Sequence, residues 1–327
     1  MKKRLKLLIN VTRDKRVHEK LENFIARNRV VSGMFDRIYV KSREELLREI
    51  PSADVLLSFV VPEIVMEQAE NLKWLHFASA GVEKSLGPAL RKKKIKLSCS
   101  RGIHAIAIAE YILMQMLAFS KGLRQAYRFQ EKREWQFEVL TQQKFDLEGR
   151  TVAIIGLGSI GLRVAKLAKA FGMRVIGTIN APRKLPHVDK VYPSTKLNKC
   201  LQQADFVVLS APVTEKTFHL IGETEFSLMK PTSYIINIGR GKLIDEKALI
   251  KALQSKKIAG AALDVFESEP LPQDSPLWEM VNVSITPHFS GMADNLWEKV
   301  AARFCENAIR FKDGKRLIGT VSLEKGY

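Results

Sequence analysis

One stretch, residues 151–180, constrains the fold more strongly than any other part of the 327-residue chain. It opens with an apolar, β-branched run at 152–155, which is typical of a strand that is buried on both faces. Glycines at positions 156, 158 and 161 follow with the spacing G-x-G-x-x-G, and an amphipathic helix continues to residue 171. A second apolar run at 174–179 completes a strand–helix–strand unit of about thirty residues, the size of a mononucleotide-binding half.

The glycine spacing predicts a dinucleotide site. Gly156 would permit a tight turn, Gly158 would let backbone N–H groups approach a pyrophosphate, and Gly161 would let the helix pack close to the strand. The positive end of the helix dipole would then face the anion. Glycine motifs also occur in merely structural turns, but the position of this one between a buried strand and an amphipathic helix favours a cofactor site.

The end of the second strand bears on the choice of cofactor. An NAD site usually has Asp or Glu about twenty residues beyond the glycines, where it binds the ribose 2′-hydroxyl. Residues 177–180 contain no carboxylate, and Arg183 and Lys184 follow Asn180 closely. Because cations neutralise a 2′-phosphate, the sequence predicts a preference for NADP(H) over NAD(H). The alternative is that the two cations belong to the solvated loop of a basic protein.

Composition limits the other function classes. The three cysteines, Cys99, Cys200 and Cys305, lack metal-site spacing, so we expect a cytoplasmic protein with no metal and no disulfide framework. The longest apolar stretch, residues 104–119, contains Glu110 and is too short to span a membrane. The net charge of +18 is spread along the chain without a recognised nucleic-acid module. We therefore expect it to attract anionic substrates and cofactor phosphates rather than nucleic acid.

Alternation of strand and helix patterns predicts an α/β fold with parallel sheets. The expected strands lie at 6–12, 37–40, 54–60, 73–77, 96–100, 151–155, 174–179, 205–211, 233–238, 259–265 and 283–286. The last six match the strand number of a Rossmann sheet. We predict two doubly wound domains: a smaller, flavodoxin-like substrate domain at 1–103 plus 293–327, and a Rossmann cofactor domain at 104–292, with a cleft between them.

Three further segments complete the predicted organisation. Residues 104–123 read as a long helix that carries the chain into the second domain, and residues 294–311 as an amphipathic helix that returns it to the first. Residues 124–148 are polar and aromatic, which suits an arm that packs on the cofactor domain or on a partner subunit. Trp135 is the residue of this arm that we expect in an interface, with a plain surface position as the alternative.

Chemistry-bearing residues follow three of the late strands, where ligands bind in open α/β sheets. They are Arg240 between two glycines, Glu269 before a proline and His288 after one. A guanidinium can hold a carboxylate and polarise the adjacent carbonyl, and an imidazole can protonate the carbonyl oxygen as hydride arrives. Singly, the three could be a surface ion-pair former, a loop acid and a core histidine. Their order on three strand ends favours reduction of a 2-oxo acid.

At these residues the chain resembles the D-isomer-specific 2-hydroxyacid dehydrogenase family over essentially its whole length. The resemblance rests on the glycine motif, on residues 204–212, 237–241 and 264–270, and on Pro287-His288. It implies that Arg240 binds the substrate carboxylate and carbonyl. It also implies that His288 is the acid and base, with Glu269 as its partner.

The same resemblance implies the binding residues. Asp264 would bind the nicotinamide carboxamide, and backbone N–H groups around Ala80–Val82, in the Ser-Ala-Gly-Val stretch, would face the substrate carboxylate. The residues expected to bind substrate are Ala80, Gly81, Val82, Arg240 and His288. Those expected to bind the cofactor are Gly156, Leu157, Gly158, Ser159, Ile160, Gly161, Asn180, Arg183, Lys184, Ala211, Pro212, Ile238, Gly239, Asp264, His288 and Gly291.

Within the family, the missing acid around Ile179 resembles the NADP(H)-preferring glyoxylate/hydroxypyruvate reductases, and the family implies a homodimer built mainly through the cofactor domain. A phosphoglycerate dehydrogenase with a regulatory domain is not expected, because no long C-terminal extension follows. A formate dehydrogenase is not expected either, because the resemblance implies Gln in those enzymes at the position of Glu269. Two alternatives stay open. One is an NAD-preferring enzyme of other specificity, and the other is a corepressor-like protein that senses the cofactor; the intact Arg240, Glu269 and His288 favour an enzyme.

Overall fold

The computed structural model describes residues 4–142 and 144–324. The chain divides into two compact units, Met1–His104 with Ala293–Tyr327 and Ala105–Met292. His104, which the sequence analysis assigned to the second domain, falls in the first unit. The outermost residues of the predicted substrate domain, 1–3 and 325–327, lie outside the described part of the chain.

The first unit contains a five-stranded parallel sheet with the order β2-β1-β3-β4-β5, the flavodoxin-like order. Its strands are β1 (Leu5–Asn10), β2 (Phe35–Tyr39), β3 (Val55–Ser58), β4 (Trp74–Phe77) and β5 (Lys96–Cys99). Its helices are α1 (Lys15–Arg27), α2 (Arg29–Ser32), α3 (Arg43–Glu49), α4 (Glu63–Gln68), α5 (Pro88–Lys92) and α13 (Leu296–Lys312), with 3-10 turns at Ile50–Ser52 and Glu83–Ser85. Apolar cores cover both faces of the sheet.

The helix α13 completes the first unit although it follows the second unit in sequence. Phe304 of α13 is fully buried, and its ring stacks on that of Trp74 with 5.0 Å between centroids and a 3° interplanar angle. Beside this stack, His76 lies between the hydroxyls of Ser98 and Ser100, at 2.7 and 3.1 Å. Burial lowers the pKa of His76 to about 3, so this imidazole is neutral at physiological pH.

The second unit contains a seven-stranded parallel sheet with the order β12-β11-β10-β9-β6-β7-β8. Its strands are β6 (Thr151–Ile155), β7 (Arg174–Ile179), β8 (Lys190–Pro193), β9 (Phe206–Leu209), β10 (Tyr234–Asn237), β11 (Gly260–Leu263) and β12 (Val283–Ile285). Its helices are α6 (Ala105–Ser120), α7 (Leu123–Glu131), α8 (Phe137–Gln142), α9 (Ser159–Ala170), α10 (Leu197–Leu201), α11 (Glu223–Leu228) and α12 (Glu246–Gln254), with 3-10 turns at Ser194–Lys196, Gly241–Leu243 and Pro276–Trp278. The predicted α/β class with two doubly wound domains is confirmed.

The strand patterns in the sequence predicted six strands for this sheet, and that number was wrong by one. The missed strand β8 is a four-residue edge strand whose first residue is Lys190, so it lacks the apolar run of a buried strand. The predicted helix at 104–123 ends earlier, at Ser120, where Gly122 with φ 63° turns the chain into α7. The predicted arm forms α7 and α8, and neither helix contains a buried residue.

No single helix in the described ranges is both long and apolar enough to cross a bilayer. The pair Ala105–Ser120 and Leu123–Glu131, bent by 66°, passes that test of length and hydropathy when the two helices are taken together. More than half of the residues of α6 are buried, and several of them belong to the apolar core against α9 and β6.

Candidate active site

The register of the second sheet aligns the carboxyl ends of five neighbouring strands, from β12 at one edge to β6. Asn237, the last residue of β10, pairs with Leu209 of β9 and with Leu263 of β11. Leu263 pairs in turn with Ile285, the last residue of β12, and Leu209 pairs with Ile155 of β6. The loops that follow these five strands therefore begin along one edge of the sheet, which is where open α/β sheets bind ligands.

The glycine turn after β6 fits a dinucleotide pyrophosphate. Gly156 has φ 105°, and a Cβ there would lie 2.8 Å from the backbone nitrogen of Ala211. A Cβ on Gly161 would lie 2.5 Å from the carbonyl oxygen of Gly156, whereas a Cβ on Gly158 would meet nothing within 4 Å. The outer two glycines thus permit backbone packing, and Gly158 leaves open space next to the turn. A Cβ on Gly239 would lie 2.9 Å from the carbonyl oxygen of Ala211, so the loop after β10 also packs closely against the loop after β9.

The N-terminus of α9 faces this turn without a capping side chain, because Gly158 is its N-cap residue. Within the described residues, the backbone N–H groups of Ser159, Ile160 and Gly161 have no hydrogen-bond acceptor. Unpaired first-turn N–H groups and the helix dipole together favour a bound anion. The other predicted cofactor residues here differ in burial: Leu157 and Ile238 are buried, Gly291 is half-buried and Pro212 is exposed.

The end of β7 carries the residues predicted to select the cofactor. Ile179 is half-buried, and the side-chain oxygen of Asn180 accepts a hydrogen bond from the Ser194 hydroxyl at 2.8 Å. Arg183 and Lys184 are exposed, and neither forms an ion pair with any residue of 4–142 or 144–324. Two uncompensated cations beside a strand end without a carboxylate fit an additional phosphate group.

Asn237 holds the loop that carries Arg240. Its side-chain amide donates a hydrogen bond to the carbonyl oxygen of Arg240 at 2.9 Å and accepts one from the N–H of Gly239 at 3.1 Å. The guanidinium of Arg240 donates to the carbonyl oxygen of Gly239 at 2.7 Å. Asn237 is 1 % exposed, so the loop is anchored by a buried amide that the sequence analysis did not identify. The available signal was an Asn at the end of an apolar strand, two residues before the Gly-Arg-Gly stretch.

His288 and Glu269 form a hydrogen-bonded pair across the loops after β12 and β11. The Nδ1 atom of His288 lies 2.9 Å from Oε2 of Glu269, and Oε1 of Glu269 accepts a hydrogen bond from the N–H of Phe266 at 3.2 Å. The His288 side chain is 49 % exposed. Because a carboxylate accepts at Nδ1, that nitrogen carries a proton, and Nε2 is the atom that can exchange a proton with a ligand.

Asp264 lies at the end of β11 and is 1 % exposed. Its carboxylate accepts hydrogen bonds from the Thr286 hydroxyl at 2.7 Å and from the backbone N–H groups of Phe289 and Ser290, both at 3.0 Å. An ionised carboxylate offers about four acceptor positions, so one remains for the predicted contact with a carboxamide. The binding of Asp264 to the backbone next to His288 was not predicted from the sequence.

The predicted substrate loop, residues 79–82, lies in the first unit. The Ser79 hydroxyl donates hydrogen bonds to the carbonyl oxygens of Gly81 and Phe59, at 2.6 and 3.3 Å. The backbone N–H groups of Ala80, Gly81 and Val82 donate to no acceptor in the described part of the chain. Three successive unpaired N–H groups can bind an anionic group such as a carboxylate.

Arg240, Glu269 and His288 therefore follow neighbouring strands at one edge of one sheet, as the sequence analysis predicted. This edge can bind an anion at the N-terminus of α9, offer a guanidinium from Arg240 and transfer a proton at Nε2 of His288. Residues 4–142 and 144–324 contain no group of three or more His, Cys, Asp or Glu side chains that could hold a metal ion.

Comparison with known proteins shows similarity to dehydrogenases of 2-hydroxy acids. Residues 113–290 match the model of the D-isomer specific 2-hydroxyacid dehydrogenase, NAD binding domain. A glyoxylate reductase of Korarchaeum cryptofilum is 33 % identical over 84 % of each chain. A D-3-phosphoglycerate dehydrogenase of Methanocaldococcus jannaschii is 40 % identical over 76 % of this chain and 47 % of that relative. A D-isomer specific 2-hydroxyacid dehydrogenase from Xanthobacter autotrophicus, solved in complex with NADPH and MES, has a TM-score of 0.86 at 25 % identity, covering 99 % of this chain and all of the other.

One contact between the site loops can be tested directly. A Cβ on Gly241 would lie 1.8 Å from the carbonyl carbon of Phe266, so Gly241→Ala must push the loop of Arg240 away from the loop that leads to Glu269. We expect this change to lower the free energy of unfolding by about 1–3 kcal/mol, as overpacking does. Chemical denaturation measures it.

The matched control is Gly222→Ala, because a Cβ there meets nothing closer than a Glu225 carboxylate oxygen at 3.6 Å. Because Gly222 is the N-cap residue of α11 and Ala is a poorer N-cap than Gly, this control should lower the free energy of unfolding by less than about 1 kcal/mol. Equal stabilities of the two variants would contradict the close approach at Gly241.

Proposed function

The chain belongs to the D-isomer-specific 2-hydroxyacid dehydrogenase family, and from that premise we propose that it reduces small 2-oxo acids such as glyoxylate and hydroxypyruvate with NADPH. It is an NAD(P)-dependent dehydrogenase of D-2-hydroxy acids. The observation that carries the proposal is the 2.9 Å contact between His288 and Glu269 at the sheet edge that also carries Arg240.

Each of the three residues has a role in the proposed reaction. Arg240 binds the substrate carboxylate and polarises the 2-oxo group, because its guanidinium donates hydrogen bonds to both. The imidazolium of His288 gives the proton on Nε2 to the carbonyl oxygen, and Glu269 holds the ring through its contact with Nδ1. The nicotinamide, when bound, supplies the hydride, so the products are a D-2-hydroxy acid and the oxidised cofactor.

The unpaired backbone N–H groups of Ala80, Gly81 and Val82 support a second part of the proposal, that this loop binds the substrate carboxylate. Backbone donors have a fixed geometry and need no reorganisation when the anion arrives. They select for the carboxylate that all 2-oxo acids share and add no selectivity for the side chain. The similarity to the glyoxylate reductase of Korarchaeum cryptofilum supports testing small 2-oxo acids first.

Three observations support NADPH as the preferred cofactor. The end of β7 lacks a carboxylate, the exposed Arg183 and Lys184 form no ion pair within the described residues, and the relative from Xanthobacter autotrophicus was solved with NADPH. The cofactor would lie on the backbone N–H groups at the start of α9, with its 2′-phosphate near Asn180. A cytoplasmic location is part of the same proposal, because Cys99, Cys200 and Cys305 are free, which fits a reducing compartment.

The proposed activity is tested by initial rates of NADPH and NADH oxidation with glyoxylate, hydroxypyruvate, pyruvate and a branched 2-oxo acid, and by oxidation of D-3-phosphoglycerate. We expect NADPH with glyoxylate and with hydroxypyruvate to give the highest kcat/KM. If D-3-phosphoglycerate is turned over faster than the 2-oxo acids, it becomes the assigned substrate instead. Cofactor binding without turnover of any of these compounds would favour a cofactor-sensing protein.

The role of Arg240 is tested in the same assay. Arg240→Ala should lower kcat/KM by about 10²–10³-fold, because carboxylate binding and carbonyl polarisation are lost together. Arg174→Ala, at the exposed amino end of β7 and thus at the opposite edge of the sheet, is the matched control and should retain the wild-type rate. An unchanged kcat/KM in Arg240→Ala would refute the assignment.

Cofactor preference has its own test at Ile179. We expect Ile179→Asp to lower the ratio of kcat/KM for NADPH to that for NADH by about tenfold or more, because a carboxylate repels the 2′-phosphate and accepts from a 2′-hydroxyl. In Ile179→Asn the new side chain has nearly the same shape as Asp but no charge, so this variant should shift the ratio much less. If the two variants behave alike, recognition of the 2′-phosphate lies elsewhere.

Exposed aromatic side chains on the α7–α8 segment support a homodimer. Trp135 is 94 % exposed, Phe137 67 % and Tyr127 57 %, and large apolar surfaces of this kind are typical of protein interfaces. Light scattering should give twice the 37.0 kDa mass of one chain. The double change Trp135→Glu and Phe137→Glu should reduce it to that of a monomer, whereas Phe171→Glu should not. A monomeric wild type would refute the dimer.

A further inference from the structure

The backbone of His288 is held in an uncommon conformation. Its φ is 51°, in the left-handed region that a residue with a Cβ rarely adopts. The imidazole is half exposed, so core packing does not hold the ring in place. Such a conformation persists only where neighbouring groups determine it, and the groups that do so control where Nε2 lies.

Buried Asp264 provides the principal constraint on this loop. Its carboxylate accepts the N–H groups of the two residues that follow His288, Phe289 and Ser290, both at 3.0 Å. Before His288, the hydroxyl of Thr286 donates to Oδ1 of the same carboxylate at 2.7 Å. One carboxylate thus ties both sides of His288 to the end of β11.

The hydroxyl of Thr286 is itself oriented by a second hydroxyl. Its oxygen lies 2.7 Å from the hydroxyl oxygen of Tyr111, a residue of α6 that is 6 % exposed. Because Thr286 gives its single proton to Asp264, it accepts from Tyr111, and the donation runs from Tyr111 to Thr286 to Asp264. Burial raises the pKa of Tyr111 to about 12, so its hydroxyl keeps the proton that this arrangement requires.

The ring of Tyr111 also contacts the loop directly. It packs edge-on against the ring of Phe289, with 6.0 Å between centroids and an interplanar angle of 88°. Tyr111 therefore acts on the neighbour of His288 through its ring and on Asp264 through its hydroxyl. The change Tyr111→Phe separates these contributions, because it removes only the hydroxyl.

From this geometry we propose that Tyr111 and Thr286 are positioning residues for His288, acting through Asp264 as a relay of two hydroxyls onto one carboxylate. The inference rests on the proposed function for its kinetic consequence, but the relay itself is a property of the loop. Neither residue touches the reacting atoms. Their effect is to keep the left-handed backbone at His288, and with it the direction of Nε2, in one arrangement.

Amide hydrogen exchange tests the relay without any need for turnover. In the full-length protein, the amides of Phe289 and Ser290 should exchange about fivefold faster in Thr286→Val than in the wild type, because the carboxylate that holds them loses one donor. Tyr111→Phe should give a smaller increase, about two- to threefold. Thr286→Ser keeps the hydroxyl and should restore the wild-type rate.

Kinetics supplies the second readout. Thr286→Val should lower kcat for glyoxylate reduction by about tenfold and Tyr111→Phe by about threefold, with KM for NADPH changed less than twofold. The double variant should match Thr286→Val alone, since the relay is already broken there. Tyr39→Phe is the matched control: it removes a hydroxyl that donates to Glu22 at 2.7 Å in the first unit, and it should leave both readouts unchanged.

The two proposals fail in different ways. A wild type that turns over no 2-oxo acid would refute the proposed function, while the exchange rates would still test the relay. Unchanged exchange at Phe289 and Ser290 in both Thr286→Val and Tyr111→Phe would overturn the relay, whatever happens to kcat. Equal loss of kcat in Thr286→Ser and Thr286→Val would overturn it as well, because the hydroxyl would then be irrelevant.

Discussion

The candidate active site of this dehydrogenase depends on one constraint, the in-register parallel pairing of the strands in the second sheet. Asn237 pairs with Leu209 and Leu263, so neighbouring strands end at the same level. The register of each strand is fixed, because a shift of one residue relative to its neighbour would turn all of its buried side chains to the opposite face of the sheet. The positions at which the strands end are therefore fixed relative to one another. Residues far apart in sequence thereby reach a common edge without any direct interaction.

A common edge is not sufficient for chemistry, because loops are the most mobile parts of a fold. Here two buried polar side chains fix them: the amide of Asn237 spans the loop of Arg240, and the carboxylate of Asp264 spans the loop of His288. Close backbone contact at Gly241 joins the first loop to Phe266, and hence to the segment leading to Glu269. Glycine is needed there because any Cβ would overlap the neighbouring backbone.

Local patterns in the sequence predicted what is local in the structure. Glycine spacing and apolar runs located the turn after β6, most strands and the strand ends that carry Arg240, Glu269 and His288. The edge strand β8 was missed because an edge strand needs no apolar run. Tyr111 and Thr286 were missed for another reason: they are 175 residues apart, and no local pattern encodes a contact that the fold creates. Roles in binding stay predictions until they are measured.

The position of α13 has a consequence for how the molecule is made. Its Phe304 covers Trp74 in the first unit, yet the whole of Ala105–Met292 is synthesised between the two. At about 5–20 residues per second, roughly ten to forty seconds pass on the ribosome before the covering helix exists. During that interval the second unit, which is continuous, can fold, while α1 and α2 can cover only part of one face of the first sheet and the area around Trp74 still lacks its covering helix.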